Sequence, residues 1–295
     1  MNAIGHYPTP AHKARFDSVY DAGMATLPPP QETHDVPTTY GTVRVYRFGT
    51  EPGEPLVLLH GRCGTTVMWE PNITELIRHR TVYSVDLLGE AGRSEQTAPI
   101  TDSADQASWL AQTLTHLDLA PAHVVGASFG GRLATDLATR HPDKVTTLCL
   151  LDPVQTFARL SVGLVGRTVL LFLPGIGPRY QPRFHDWIHQ GEEVPEGHPA
   201  LRTIMAAQSE FTLTLPYPDY PTDEQIRGLD MPVLVAIAGR SVMHHPKRAH
   251  RRALDLLPNA RVELWPDALH GLAAQDPERA DRAILEFVAG TENRS

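Results

Sequence analysis

Short apolar runs alternate with longer amphipathic stretches along most of this 295-residue chain, and few folds accept that pattern. Leu56-Val57-Leu58-Leu59 is apolar at every position, as in a strand covered on both faces. Val82-Tyr83-Ser84-Val85, Val124-Val125 and the runs 145–151, 233–238 and 261–265 read as further strands. Residues 42–48 alternate with period two, as a half-buried early strand does. Between these lie helical patterns at 103–117, 132–140, 246–257 and 275–288. In the second of them Leu133, Ala134, Leu137 and Ala138 share one face, and Pro142 marks the stop. Strands and helices in this alternation predict an α/β protein, a mostly parallel central sheet flanked by helices.

One segment breaks the alternation. Residues 153–230 contain no comparable strand-like run and are rich in Pro, Gly and aromatic residues. They read as a helical cap inserted after strand 6, the run 145–151. The expected organisation is an N-terminal segment (1–33), a core (34–152 and 231–295) and the cap (153–230). A formal charge of -8 disfavours nucleic acid as a partner, because phosphate binding needs clustered Lys and Arg. Two cysteines, Cys63 and Cys149, make no disulfide framework. The first thirty residues lack the apolar stretch of a secretory signal, and the greasy run 160–173 is broken by Gly163, Gly166 and Arg167. The expectation is a cytoplasmic protein without a membrane partner.

Gly126-Ala127-Ser128-Phe129-Gly130 sits between an apolar strand and a helix. A tight strand-turn-helix of this kind holds a serine hydroxyl clear of the sheet edge, and its flanking glycines let backbone pass closely. Ser128 is therefore the candidate nucleophile. Leu59-His60-Gly61-Arg62-Cys63-Gly64 follows the strand at Leu56, at the strand ends where ligands bind in such sheets. The backbone N–H groups of Arg62 and Phe129 are the candidate oxyanion donors. The Arg62 side chain either meets an acidic group of the substrate or reaches solvent. His270 lies late in the chain, after the last apolar strand, and is the candidate general base.

Taken together, His60-Gly61, Asp86-Leu87-Leu88-Gly89 through Gly92-Arg93-Ser94, the turn at Ser128, and His270 resemble the α/β-hydrolase superfamily from about residue 36 to 288. Trp69-Glu70-Pro71-Asn72-Ile73 and Gly89-Glu90 are most similar to bacterial carboxylesterase-like members. The resemblance implies the α/β-hydrolase fold and a Ser-Asp/Glu-His triad. The family commonly carries its acid in a loop after the penultimate strand, where Val242 stands here, and no Asp or Glu lies between Asp230 and Asp255. The replacement is Asp152, directly after the strand 145–151, a position some family members use. Its competing role is to cap the start of the inserted segment. Asp267 and the helix-starting Asp276-Pro277 are the weaker alternatives.

A serine at position 128 points to acyl chemistry on a small-molecule ester, thioester or lactone, with no cofactor and no metal. Two other readings stay open. One is a ligand-binding member of the fold without hydrolysis, and the other is acyl transfer, cyclisation or carbon–carbon cleavage by the same triad. The adjacent His244 and His245 are expected in solvent. Leu160, Leu164, Val169, Leu170, Phe172, Leu173, Phe184, Trp187 and Phe211 either line an acyl pocket or pack the cap onto the sheet, and Trp69 likewise faces the pocket or the core.

Overall fold

The computed structural model describes residues 4–292 apart from 172, 174 and 193–196. The chain opens with α1 (Pro10–Met24), then β1 (Glu32–Thr38), β2 (Gly41–Phe48) and β3 (Leu56–Leu59). Next come α2 (Glu70–Leu76), β4 (Val82–Val85), the two-residue β5 (Glu95–Gln96), α3 (Ser103–His116) and β6 (Ala122–Ala127). After α4 (Phe129–Arg140) and β7 (Val145–Leu151) the chain makes α5 (Val162–Leu171), α6 (Gly177–His189), α7 (Pro199–Glu210) and α8 (Asp223–Arg227). It returns as β8 (Val233–Ala238), α9 (Pro246–Leu256), β9 (Arg261–Trp265), α10 (Leu272–Gln275) and α11 (Pro277–Glu292).

These strands form one sheet in the order β1-β2-β4-β3-β6-β7-β8-β9, with β5 added to β2. From β4 to β9 every pairing is parallel, and β2 meets β1, β4 and β5 antiparallel. The uniformly apolar strands are explained by which face each residue serves. Val57, Leu59, Val124, Leu148, Leu150, Val235 and Ile237 pack with Trp109, Leu133 and Ala253 of α3, α4 and α9. Their neighbours Leu56, Leu58, Val125, Cys149, Leu151, Leu234 and Ala236 pack with Phe16, Ile73 and Ile284 of α1, α2 and α11. Successive side chains point to opposite faces, so a strand with helices on both sides needs no polar position.

Parallel strands bring the loops after β3, β6, β7, β8 and β9 to one edge. Chain order reverses at β3, which has β4 on one side and β6 on the other, and a crevice opens at such a switch point. Helix α4 starts at Phe129, directly behind Ser128 and earlier than the periodicity predicts. The 103–117, 246–257 and 275–288 patterns correspond to α3, α9 and α11 within a residue or two, except that α11 runs on to Glu292.

Residues ahead of β1 are integral to the fold. Phe16 and Tyr20 of α1 are buried, and the Tyr20 hydroxyl donates to Asp86 Oδ2 at 2.7 Å. Arg15 of the same helix pairs with Glu210 of α7 at 2.6 Å. Leu164 and Phe184, between β7 and β8, form a small cluster with Met243 of the loop after β8, joined by Leu160 and Trp187. Val169, Leu170 and Leu173 are exposed, Phe211 packs edge-on to Tyr7, and Trp69 is fully buried in the core. These apolar residues therefore do not converge on one pocket, and Phe172 lies outside the described residues. No helix among the described residues is long and apolar enough to cross a membrane.

Candidate active site

Ser128 has φ +54° and ψ -116°, a region that a residue with a side chain rarely adopts. Its neighbours enforce the turn. A Cβ on Gly130 would sit 2.1 Å from the Leu59 carbonyl oxygen, and one on Gly126 would sit 2.4 Å from the Gly130 oxygen. Only glycine lets α4 approach β3 and β6 this closely. The Ser128 N–H donates to the Leu151 oxygen at 3.0 Å, which ties the turn to the end of β7.

His270 Nε2 lies 2.8 Å from Ser128 Oγ, and His270 Nδ1 lies 2.6 Å from Asp152 Oδ2. A carboxylate only accepts, so the ring proton sits on Nδ1 and the Nε2 lone pair faces the serine hydroxyl. Asp152 is fully buried at the end of β7, with φ +43°. Its Oδ1 accepts the Ala238 N–H at 3.0 Å and His244 Nε2–H at 3.0 Å. Burial alone would raise the pKa of this acid. The interaction with His244 and the hydrogen bond from His270 outweigh burial and hold Asp152 well below the usual carboxylate range. Asp267 is exposed, and Asp276 caps α11 by accepting the Arg279 N–H at 3.2 Å, so neither takes part.

His244 overturns one expectation from the sequence. The adjacent pair splits: His245 is exposed, but His244 is buried against Asp152. Neighbouring residues in a loop point different ways, so one ring of a pair expected in solvent is directed inward. The signal was the loop itself, which follows β8 beside the site and offers His244 where a carboxylate was missing.

The loop after β3 lies against the serine, for a Cβ on Gly61 would sit 3.2 Å from Ser128 Cβ. His60 is buried; its Nε2 accepts the Leu87 N–H at 3.0 Å and its Nδ1 donates to the Gly61 oxygen at 2.8 Å. Burial pushes the His60 pKa down. Glu90, also buried, accepts the Cys63 N–H at 3.0 Å and meets Arg62 Nη1 at 3.3 Å. The Arg62 guanidinium stacks 4.1 Å over the Phe129 ring. Its side chain is thus neither a free cation for substrate nor a solvent arm. The backbone N–H groups of Arg62 and Phe129 have no acceptor among the described residues. For Phe129 the reason is local, since the first N–H of a helix has no partner within it. No group of three or more His, Cys, Asp or Glu among the described residues is arranged to hold a metal ion.

A family model described as alpha/beta hydrolase fold matches residues 54–277. The chain belongs to the α/β-hydrolase family. It is a hydrolase of that family, and its relatives narrow the likeness. Carboxylesterase YbfK of Bacillus subtilis is 28% identical over 284 residues, covering 94% of each chain. The crystal structure of that esterase, CesB (YbfK), matches this α/β-hydrolase with a TM-score of 0.86 at 26% identity, over 95% of this chain and 99% of the other. An uncharacterized carboxylesterase of the same organism, nap, is 25% identical over 288 residues, 92% of each chain.

Proposed function

We propose that this α/β-hydrolase cleaves carboxylic esters of small molecules, or related thioesters and lactones, through an acyl-enzyme on Ser128. The observation that carries the reading is the unbroken run from Ser128 Oγ through both nitrogens of His270 to Asp152 Oδ2. Ser128 Oγ attacks the carbonyl carbon while Nε2 takes its proton. The imidazolium so formed is stabilised by Asp152, and it returns the proton to the leaving alcohol. Water then enters and attacks the acyl carbon while the same nitrogen takes its proton; the imidazolium gives that proton back to Ser128 Oγ as the bond to the acyl group breaks and the acid leaves. The N–H groups of Arg62 and Phe129 hold the oxyanion in both halves, and losing one such donor typically costs about 3 kcal/mol.

The similarity to bacterial carboxylesterases supports the ester as substrate class. The case for a non-hydrolytic protein rests on the acid missing at Val242; the 2.6 Å contact of Asp152 with His270 supports hydrolysis instead. The core (34–152 and 231–295), the cap (153–230) and the cytoplasmic setting belong to the same proposal. For the first two, support lies in the run of four helices between β7 and β8. Ser128→Ala tests the reading with an aryl acetate as substrate. Turnover is expected to vanish, along with labelling by a fluorophosphonate; near-full turnover in the variant overturns the mechanism.

A further inference from the structure

We infer that His244 is a positioning residue for this hydrolysis, the group that aims the Asp152 carboxylate at His270. The inference rests on the serine mechanism above. Rotation about the last bond of an aspartate is soft, because a carboxylate on a tetrahedral carbon has no sharp staggered wells. Nothing in the covalent geometry of Asp152 therefore directs Oδ2 toward His270 Nδ1. The two donors on Oδ1 do. Ala238 N–H comes from the end of β8 and is fixed by the sheet, whereas His244 Nε2–H comes from the loop beyond it. Two donors from different directions lock the carboxylate plane, and one leaves it free to swing.

The placement of the ring argues against a merely space-filling role. His244 is fully buried, and its Nδ1 lies buried with no hydrogen-bond partner, a cost that a leucine or phenylalanine would avoid. What the imidazole offers in exchange is the single hydrogen bond to Asp152 Oδ1. On the other side of the carboxylate, His270 Nδ1 meets Oδ2 and its Nε2 reaches on to Ser128 Oγ.

Three variants test this with an aryl acetate. His244→Phe keeps the bulk and removes the donor; His244→Gln places an amide nitrogen near the former Nε2, and His244→Asn stops near the former Nδ1. The Phe variant is expected to lose about 10–100-fold in kcat with KM within about threefold, because the defect lies in orientation rather than binding. The Gln variant recovers kcat to within about fivefold of the parent. A parent-like kcat in the Phe variant overturns the inference. Should the Phe variant not fold, the amides decide: Gln well above Asn supports the role, and equal rates overturn it. Ser128→Ala run alongside separates the failures, because turnover that survives it defeats the serine mechanism whatever His244 does.

Discussion

The carboxyl edge of the sheet and the segment between β7 and β8 that follows it are built to different tolerances. At the edge, glycines are hemmed in: the space a Cβ would need at Gly126 and Gly130 is filled by backbone. In the inserted segment a Cβ on Gly166, Gly175, Gly191 or Gly197 would meet nothing within 4 Å, although one on Gly177, where α6 starts, would sit 2.0 Å from the Leu171 oxygen; Val162, Val165 and Val169 are exposed. Positions that must hold a hydroxyl, an imidazole and a carboxylate within hydrogen-bond reach sit where backbone packs on backbone. Open positions such as Gly166 in α5 have room to change without disturbing that geometry.

The sharpest way to break this contrast is at Asp152. Asp152→Asn is expected to cost on the order of 10⁴ in kcat, the size seen when a triad aspartate becomes an amide that favours the wrong tautomer. A loss below tenfold, measured with an aryl acetate, would mean the edge does not depend on this acid. Gly130→Ala comes next. Its Cβ would press on the Leu59 and His60 carbonyl oxygens at 2.1 and 2.5 Å, and backbone cannot step aside cheaply. A destabilisation of about 3 kcal/mol or more in denaturant unfolding is expected.

A second buried aspartate away from the edge sharpens the comparison. Asp281 on α11 receives one hydrogen bond, from Asn72 Nδ2 at 2.8 Å, against three donors for Asp152. Burial, with Glu75 nearby, pushes its pKa up to about 7. Because the folded chain holds this proton more tightly than the unfolded one, the stabilisation is complete below about pH 4 and is lost as pH rises toward 7. The melting temperature of Asp281→Asn should therefore lose less between pH 5 and 8 than the parent's, by a few degrees or about that. Matching slopes would remove Asp281 as the cause. The smallest effect is expected at Gly166, mid-helix in α5 with open space around it. Gly166→Ala should stabilise by about 0.5–1 kcal/mol and leave kcat unchanged, and a marked loss of activity would show that this segment is held as tightly as the edge.

Much of the architecture was legible because it is written in local pattern. Leu56-Val57-Leu58-Leu59 announces a strand with two covered faces, and it pairs on both sides, with β4 and β6. The two glycines around Ser128 announce a close turn, and the backbone there takes a positive φ. His270 was picked out by its place after the last strand. Other features had no local signature. The pairing of Arg62 with Glu90 and Phe129, and the docking of α1 on Asp86 through Tyr20, join segments distant in sequence and leave no periodic trace.

What the chain's own order of residues determined is the set of strands and helices, the strained turn at Ser128, and a short choice of acids once the loop after β8 proved to lack one. Periodicity and glycine placement carry that information because they act over a few residues. Only the tertiary structure decided that Asp152 meets His270, 118 positions along the chain, and that His244 rather than His245 turns inward, 92 positions from Asp152. Those outcomes depend on which strand ends the parallel pairing sets side by side, and on which of two adjacent rings finds a buried carboxylate within reach.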